Sequence, residues 1–443
     1  MTITSVEPLP LQRLRQFLES RLAHERVRTL VVALSGGLDS RVLLHAAVRI
    51  APAFGVGVRA IHVHHGLSPH ADAWTERVAA FCAEENVSLT ICRVRVAQGA
   101  SLENAARRAR LDAFSTSLEQ DDALLLAQHR DDQAETVLFR LMRGTGLTGL
   151  GGMRADTRQA VTGGRTVPRW RPFLDLSRDE LAAFAATEAL QWVEDESNAD
   201  TSLDRNFLRH EILPQLARRW PAAGKTLSDT ALRLQEADSL LQELAGELIA
   251  SCRASGGRLD SGPLAAMTPA QQRLVLRFWL REQGFLTPDA AVLERIRLDM
   301  MTARADAMPC VAWPGGEVRR YRSHLYVRRS ASAPPANWSA VWEEGGEMWL
   351  PDGRRLVLEG KGAPRFPWQV RFRRGGERLR AAPDSHSREL KTWLQEQGIP
   401  PWERSELPLV FVGDELVAVG DLPWLHRRTW RLRLLSAAPP GIK

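Results

Sequence analysis

Short apolar runs alternate with longer stretches of helical periodicity over the first third of the chain. Leu30 to Leu34 is continuous, apolar and rich in β-branched valine, which predicts a buried strand. It stops at Ser35-Gly36-Gly37-Leu38-Asp39-Ser40, and Val42, Leu43, Leu44 and Ala46 onward then form one face of a helix. Val58 to Val63 repeats the grammar and breaks at His64-His65-Gly66; "LTICRVRV" at 89–96 alternates like a third strand. "ALLLAQHRDDQAETVLFRLMRG" at 123–144 is a fourth strand running straight into a helix. Strands alternating with helices at this spacing predict an α/β fold with a doubly wound parallel sheet, whose site lies beyond the strand C-termini. The three polar interruptions, Ser35–Ser40, His64–Gly66 and His129–Glu135, all fall at those ends.

Further on, "GGRTVPRWRP" at 163–172 reads as a punctuated loop, followed by a helix that Ser177 caps. A long helix is expected over about 226–253, broken by "CRASGGRLDSGP". Two helices, each opened by Thr-Pro, follow in "TPAQQRLVLRFWLREQG" and "TPDAAVLERIRLDMM". "SASAPPANW" and "EGKGAPRFP" read as linkers, and the final stretch mixes short strands with the amphipathic "HSRELKTWLQEQG". The expected organisation is an N-terminal α/β domain over 1–215, a mainly helical domain over 216–330 and a small α+β domain over 361–443.

Charge sharpens this picture. The net charge is +6, and residues 361–443 hold 15 Lys+Arg against 9 Asp+Glu, so everything before them balances. Nearly all cations are arginine, and the forked guanidinium suits phosphate. Cys82, Cys92, Cys252 and Cys310 form no CxxC pair and no metal spacing, as expected for reduced thiols in a cytoplasmic protein. No apolar run is long enough to span a bilayer, and "MTITSVEPLPLQRLRQF" lacks the apolar core of a secretory signal.

The loop after the first strand carries candidate chemistry. Glycine permits torsions in which backbone amides converge on an anion, and the following helix aims its positive end at the same point. A Walker loop would need a lysine, yet the first lysine in the chain is Lys225, and no GxGxxG runs through Ser35–Ser40. What remains is SGGxDS, which resembles the PP-loop of ATP pyrophosphatases. Two further clusters stand out. Asp132 and Glu135, three apart, share a helix face below His129; beside an ATP loop they can hold Mg²⁺ or an ammonium group, or they are ordinary helix-start charges. Arg205, Asn206 and Arg209 can clamp a phosphate from a helix, or lie on a solvated face.

Taken together, "LSGGLDS", "HVHHGL", "QHRDDQAETVLFRLMRGTGLTGLGGM", "RPFLDLSRDEL", "EDESNADTSLDRNFLRHEILP" and the distal "RRGGERLRAAPDSHSRELKTWLQEQGIPPWERSELPLVFVGDELVAVGDLPW" resemble the tRNA(Ile)-lysidine synthase family in content and order. Two departures are visible. Gln128 stands where that family commonly has a histidine, and "GGERLR" replaces a Gly-Asp-Arg pattern. The resemblance implies a two-step reaction. ATP adenylates the oxygen at carbon 2 of the wobble cytosine in a tRNA(Ile) with a CAU anticodon, and the ε-amine of free L-lysine then displaces AMP. It assigns the ATP cradle to Ser35, Gly36, Gly37, Leu38, Asp39 and Ser40, with Asp39 helping to hold Mg²⁺. Asp132 and Glu135 take the lysine ammonium groups and draw a proton from the attacking amine, while His129 and Arg205 steady phosphate or adenylate charge. In the basic C-terminal segment, Arg371, Arg373, Arg374, Arg378 and Lys391 are the candidate tRNA contacts. A PP-loop tRNA thiolase would need clustered cysteines, which are lacking, and a non-catalytic RNA binder would not need an intact SGGxDS. Monomer and homodimer both remain open.

Overall fold

The computed structural model describes residues 7–96, 102–196, 200–304, 306–329, 335, 337–360, 363, 365–380, 386–422 and 430–435. Met1–Glu243 and Leu244–Lys443 form two compact units.

The first unit is built on a six-stranded sheet of order β3-β2-β1-β4-β6-β5. Its strands are β1 (Thr29–Ala33), β2 (Gly57–His64), β3 (Ser88–Arg93), β4 (Asp122–Leu125), β5 (Asp156–Val161) and β6 (Arg165–Trp170), and only the β5–β6 pair is antiparallel. The helices are α1 (Leu9–Leu22), α2 (Leu38–Ile50), α3 (Ala71–Glu84), α4 (Leu102–Ser117), α5 (Arg130–Met142), the single turn α6 (Leu147–Leu150), α7 (Arg178–Thr187), α8 (Asp204–Phe207), α9 (Leu213–Arg219) and α10 (Ala223–Ala250). Both sheet faces are covered. Leu30 and Val32 join Leu14, Leu18, Leu43, Trp170 and Phe173 on one side, whereas Val31 packs with Ile61, Phe114, Leu124 and Val167 on the other. A strand buried on both faces cannot alternate, which is why Leu30–Leu34 is apolar throughout.

The parallel sheet is as expected, but the segment at 163–172 is not a loop. It is β6, the neighbour of β4 and the second strand of a hairpin. Gly163 and Gly164, with φ of 86° and 75°, form the turn that reads as punctuation. Pro168 is tolerated because β4 pairs with β6 only at Arg169 and Trp170, so its missing amide is outside that ladder. Ser177 does cap α7, accepting the Glu180 amide at 3.2 Å while Glu180 accepts the Ser177 amide at 2.6 Å.

In the second unit, α11 (Ser261–Ala265), α12 (Pro269–Glu282) and α13 (Ala290–Thr302) pack around Trp279, Leu280, Ile296 and Val318. They do so against a sheet of order β7-β8-β11-β10-β9, formed by Arg253–Ala254, Arg258–Asp260, Cys310–Trp313 (β9), Gly316–Tyr321 (β10) and His324–Arg328 (β11). The stretch expected to be mainly helical is therefore mixed. α12 starts as its Thr268-Pro269 pair predicts, but α13 is capped by Asp289, whose Oδ1 accepts the Val292 amide at 2.8 Å, and not by Thr287. The remaining strands form small antiparallel sheets. Ser339–Trp342 pairs with Trp368–Arg371, and Arg355–Gly360 pairs with Trp430–Leu435. Residues 339–360 thus share sheets with strands beyond the boundary expected at 361.

Candidate active site

The loop between β1 and α2 is shaped by one glycine rather than two. Gly36 has φ 95°, and a Cβ there would come within 3.0 Å of Val78 Cγ2, while its carbonyl accepts the Val193 amide at 2.9 Å. Gly37 has ordinary extended torsions. Ser40 donates from Oγ to the Gly37 carbonyl at 2.9 Å and lies 3.0 Å from Ser35 Oγ, so two hydroxyls brace the turn. No side chain caps α2, leaving its first amides to face an anion. Asp39 sits in that first turn, with Oδ2 3.6 Å from His129 Nε2. Its Oδ1 is buried and has no hydrogen-bond partner. A buried carboxylate oxygen without a donor is the arrangement a cation satisfies. Mg²⁺ characteristically takes one or two carboxylates and completes its shell with substrate phosphates and water, so Asp39 fits that ion as a single ligand. Among the described residues no cluster of three metal-binding side chains exists, so the protein supplies little more.

His129 ends the β4 connection and begins α5. Its amide donates to Asp132 Oδ2 at 3.1 Å, and its Nδ1 accepts the Asp131 amide at 3.2 Å. Burial alone would lower its pKa, but the carboxylates of Asp131, Asp39 and Asp132 outweigh this and push it up to about 10. An imidazolium gives up the acceptor role at Nδ1, so the amide contact and the charged ring are alternatives, and with three carboxylates around it the charged ring prevails. Next along the helix, Glu135 is only 3% exposed. Burial raises its pKa, with Arg209 opposing and Asp132 assisting.

Arg209 sits on the helical segment that follows α8. Its guanidinium reaches Asp132 Oδ1 at 2.9 Å and Glu135 Oε2 at 2.7 Å. Arg205 lies 3.7 Å from Glu135 Oε1 and 5.7 Å from the Phe139 ring centroid. The structure therefore gathers Asp39, His129, Asp132, Glu135 and Arg205 into one place, and adds Arg209, which the spacing alone left as one of a possible phosphate clamp. One guanidinium thus bridges both carboxylates.

A group of arginines went unread in the sequence. Burial disfavours the charged forms of Arg110, Arg140, Arg169 and Arg171, and the nearby Arg107 adds to it at each; Arg171, which also feels Arg169, falls to about 10. The acceptors of three of them are neutral: Arg140 donates to the Gly149 and Gly152 carbonyls at 2.8 and 2.9 Å, Arg169 to Thr157 Oγ1 at 3.0 Å, and Arg171 to the Arg154 carbonyl at 2.9 Å and to Gln128 Oε1. Among the described residues none of the five forms an ion pair with a carboxylate. They come from α4, α5, β6 and the residue just after it, so no local motif announces them. Gln128, the departure noted above, is spent on orienting Arg171.

The chain as a whole is similar to known proteins. A PP-loop domain model matches residues 10–216, a TilS substrate binding domain matches 259–326, and a TilS substrate C-terminal domain matches 368–432. A tRNA(Ile)-lysidine synthase from Xanthomonas campestris pv. campestris (strain 8004) is 40% identical over 420 residues, 92% of this chain and 95% of that protein. One from Methylococcus capsulatus is 41% identical over 406 residues, covering 89% and 91%. The chain belongs to the tRNA(Ile)-lysidine synthase family. It is thereby an ATP-utilising PP-loop enzyme, and among the described residues no helix is long and apolar enough to cross a membrane.

Within this family member the cysteines stay apart: Cys82 and Cys252 are buried, Cys310 is exposed, and all four are free. The C-terminal arginines divide into two groups. Glu377, in the departing "GGERLR", is buried; it accepts Arg371 at 2.8 Å, the Arg374 amide at 2.6 Å and the Gly375 amide at 3.0 Å, and lies 3.7 Å from Arg373. Arg371 also stacks 4.4 Å from the Phe411 centroid. Arg371 and Arg373 are thus turned inward, whereas Arg374, Arg378 and Lys391 are exposed.

Proposed function

We propose that this protein converts the wobble cytidine of tRNA(Ile) bearing a CAU anticodon into lysidine, using ATP and free L-lysine. The observation that carries the assignment of roles is the convergence on His129 Nε2 of Asp39, with its unsatisfied buried oxygen, at 3.6 Å and of Asp132 at 3.5 Å, the latter sharing Arg209 with Glu135. In the first step the oxygen at carbon 2 of cytosine attacks the α-phosphorus of ATP and pyrophosphate leaves. Ser35, Gly36, Gly37, Leu38, Asp39 and Ser40 cradle the phosphates; Asp39 would hold Mg²⁺, which would supply charge neutralisation there. The imidazolium of His129, Arg205 and the arginines around Arg107 provide positive charge for the departing and remaining phosphates. In the second step the lysine ε-amine attacks carbon 2 and AMP leaves with the bridging oxygen. Asp132 and Glu135 hold the amine, and Glu135 takes its proton, because burial has made that carboxylate more basic than usual. Arg209 then vacates or shares the carboxylates it bridges. A cytosine in a single-stranded anticodon loop leaves its stack at modest cost.

We further propose a three-part division: a catalytic domain over 1–215, a tRNA-positioning segment over 216–330, and a C-terminal tRNA-binding domain that begins before Ser339. There Arg374, Arg378 and Lys391 would meet phosphates, with Arg371 and Arg373 shaping the surface through Glu377. The test is incorporation of labelled lysine into a tRNA(Ile) transcript with a CAU anticodon. ATP-dependent incorporation with AMP and pyrophosphate release is expected; release of pyrophosphate with no lysine in the RNA would refute the second step.

A further inference from the structure

The turn between α9 and α10 carries an aromatic side chain that the catalytic scheme leaves unused. Trp220 is 59% exposed and has no aromatic neighbour among the described residues. The Arg219 guanidinium lies 5.8 Å from its ring centroid. The last turn of α9 also carries Arg218. Four residues beyond the ring, Gly224 approaches the catalytic cluster so closely that a Cβ would lie 3.9 Å from Asp131 Oδ1. The turn therefore stands at the rim of the site. It is held there firmly: Gln235 of α10 donates to the Met153 carbonyl at 2.9 Å, and Asp238 accepts Thr148 Oγ1 at 2.8 Å and Arg154 at 3.0 Å. Leu203 and Phe207, flanking Arg205 in the same segment, are exposed as well.

A large ring left in water beside guanidiniums, on an anchored turn, calls for a partner with a flat π-face and negative charge. Unpaired nucleotides have both, and alternation of aromatic rings with arginines is how single-stranded RNA is gripped. We propose that Trp220 is a stacking platform for an unpaired base of the anticodon loop next to the modified cytidine, with Arg218 and Arg219 on the adjoining phosphates. This rests on the lysidine-forming reading above. Trp220 acts here as a positioning residue: it seats the loop so that the target base reaches the pocket, and touches neither ATP nor lysine.

The experiment uses the full chain and its W220A, W220F and R219A variants, with a tRNA(Ile) transcript carrying the CAU anticodon. Equilibrium binding is measured across a salt series, and lysidine formation is measured with each substrate varied. W220A should weaken tRNA binding about tenfold with ATP and lysine KM unchanged, the usual loss when one stacking ring is removed. W220F should recover most of it, and R219A, unlike W220A, should flatten the salt dependence. An exposed ring contributes little to folding, so the melting temperature should hold. A W220A protein that binds tRNA within twofold of the parent, or a W220F protein as weak as W220A, overturns the proposal. If the parent binds this tRNA but incorporates no lysine, the lysidine reading falls, and a W220A binding defect would still uphold the platform.

Discussion

Replacing Glu135 by glutamine separates the two chemical steps. The side chain is buried, takes Arg209 at 2.7 Å and keeps Oε1 3.7 Å from Arg205. Glutamine is nearly isosteric, so packing stays and only the charge and proton-accepting ability go. A hydrogen bond from an ammonium group to a carboxylate is worth about 1.5–3 kcal/mol. At about 1.4 kcal/mol per tenfold, its loss should raise the lysine KM about 10- to 100-fold. Stability should move the other way. Burial raises the folded-state pKa of Glu135, so its favourable contribution belongs to the protonated form and is lost as pH rises through that folded value. At neutral pH the buried carboxylate is a cost that glutamine removes. Arg209 is partly exposed and keeps Asp132 and water, so little is forfeited there. The melting temperature should therefore stay within about 2 °C of the parent or rise. The assay pairs tRNA-dependent pyrophosphate release without lysine against labelled-lysine incorporation across a lysine titration. Equal damage to both steps would refute the reasoning and move Glu135 to the ATP side; a large drop in melting temperature would show that its main role is structural.

Asp39→Ala should abolish AMP and pyrophosphate formation while leaving the melting temperature near that of the parent, because the carboxylate sits in the first turn of α2 with one buried oxygen unsatisfied; near-normal pyrophosphate release would disprove its role. His129, with its folded pKa pushed up to about 10 from 6.5, contributes stability that is fully present below about pH 6.5 and lost as pH rises toward 10. A ligand-free protein should thus melt progressively lower over that window, and the slope should shrink in His129→Asn; identical slopes would contradict a charged ring. Ending the chain after Arg329 removes all strands that share the C-terminal sheets, and should weaken tRNA binding and flatten its salt dependence while ATP binding persists. Unchanged tRNA affinity and salt slope would show the exposed Arg374, Arg378 and Lys391 to be a merely solvated face.

Much of this was legible in the chain because the relevant signals are local. A strand buried on both sides must be continuously apolar, and a phosphate loop must place glycine and small hydroxyls between strand and helix, so β1, the SGGLDS turn and α2 could be read directly. Asp132 and Glu135 share a face by helical spacing alone, and Ser177 and Thr268 cap helices through bonds to residues three positions on. What lay beyond reading was decided by distance along the chain. β6 looked like a loop because its glycines and Pro168 are turn formers; only the short register with β4 makes them compatible with a strand. Arg371 and Arg373 share the buried Glu377, a pairing that no local pattern announces. Arg209, Arg107 and Arg171 belong to separate elements, and their meaning comes from which charges the tertiary fold brings against them: two carboxylates in the first case, other guanidiniums in the rest. Local periodicity sets which residues form an element and which face it buries; the field at a side chain sums over every element packed around it, and that sum exists only once the chain has folded.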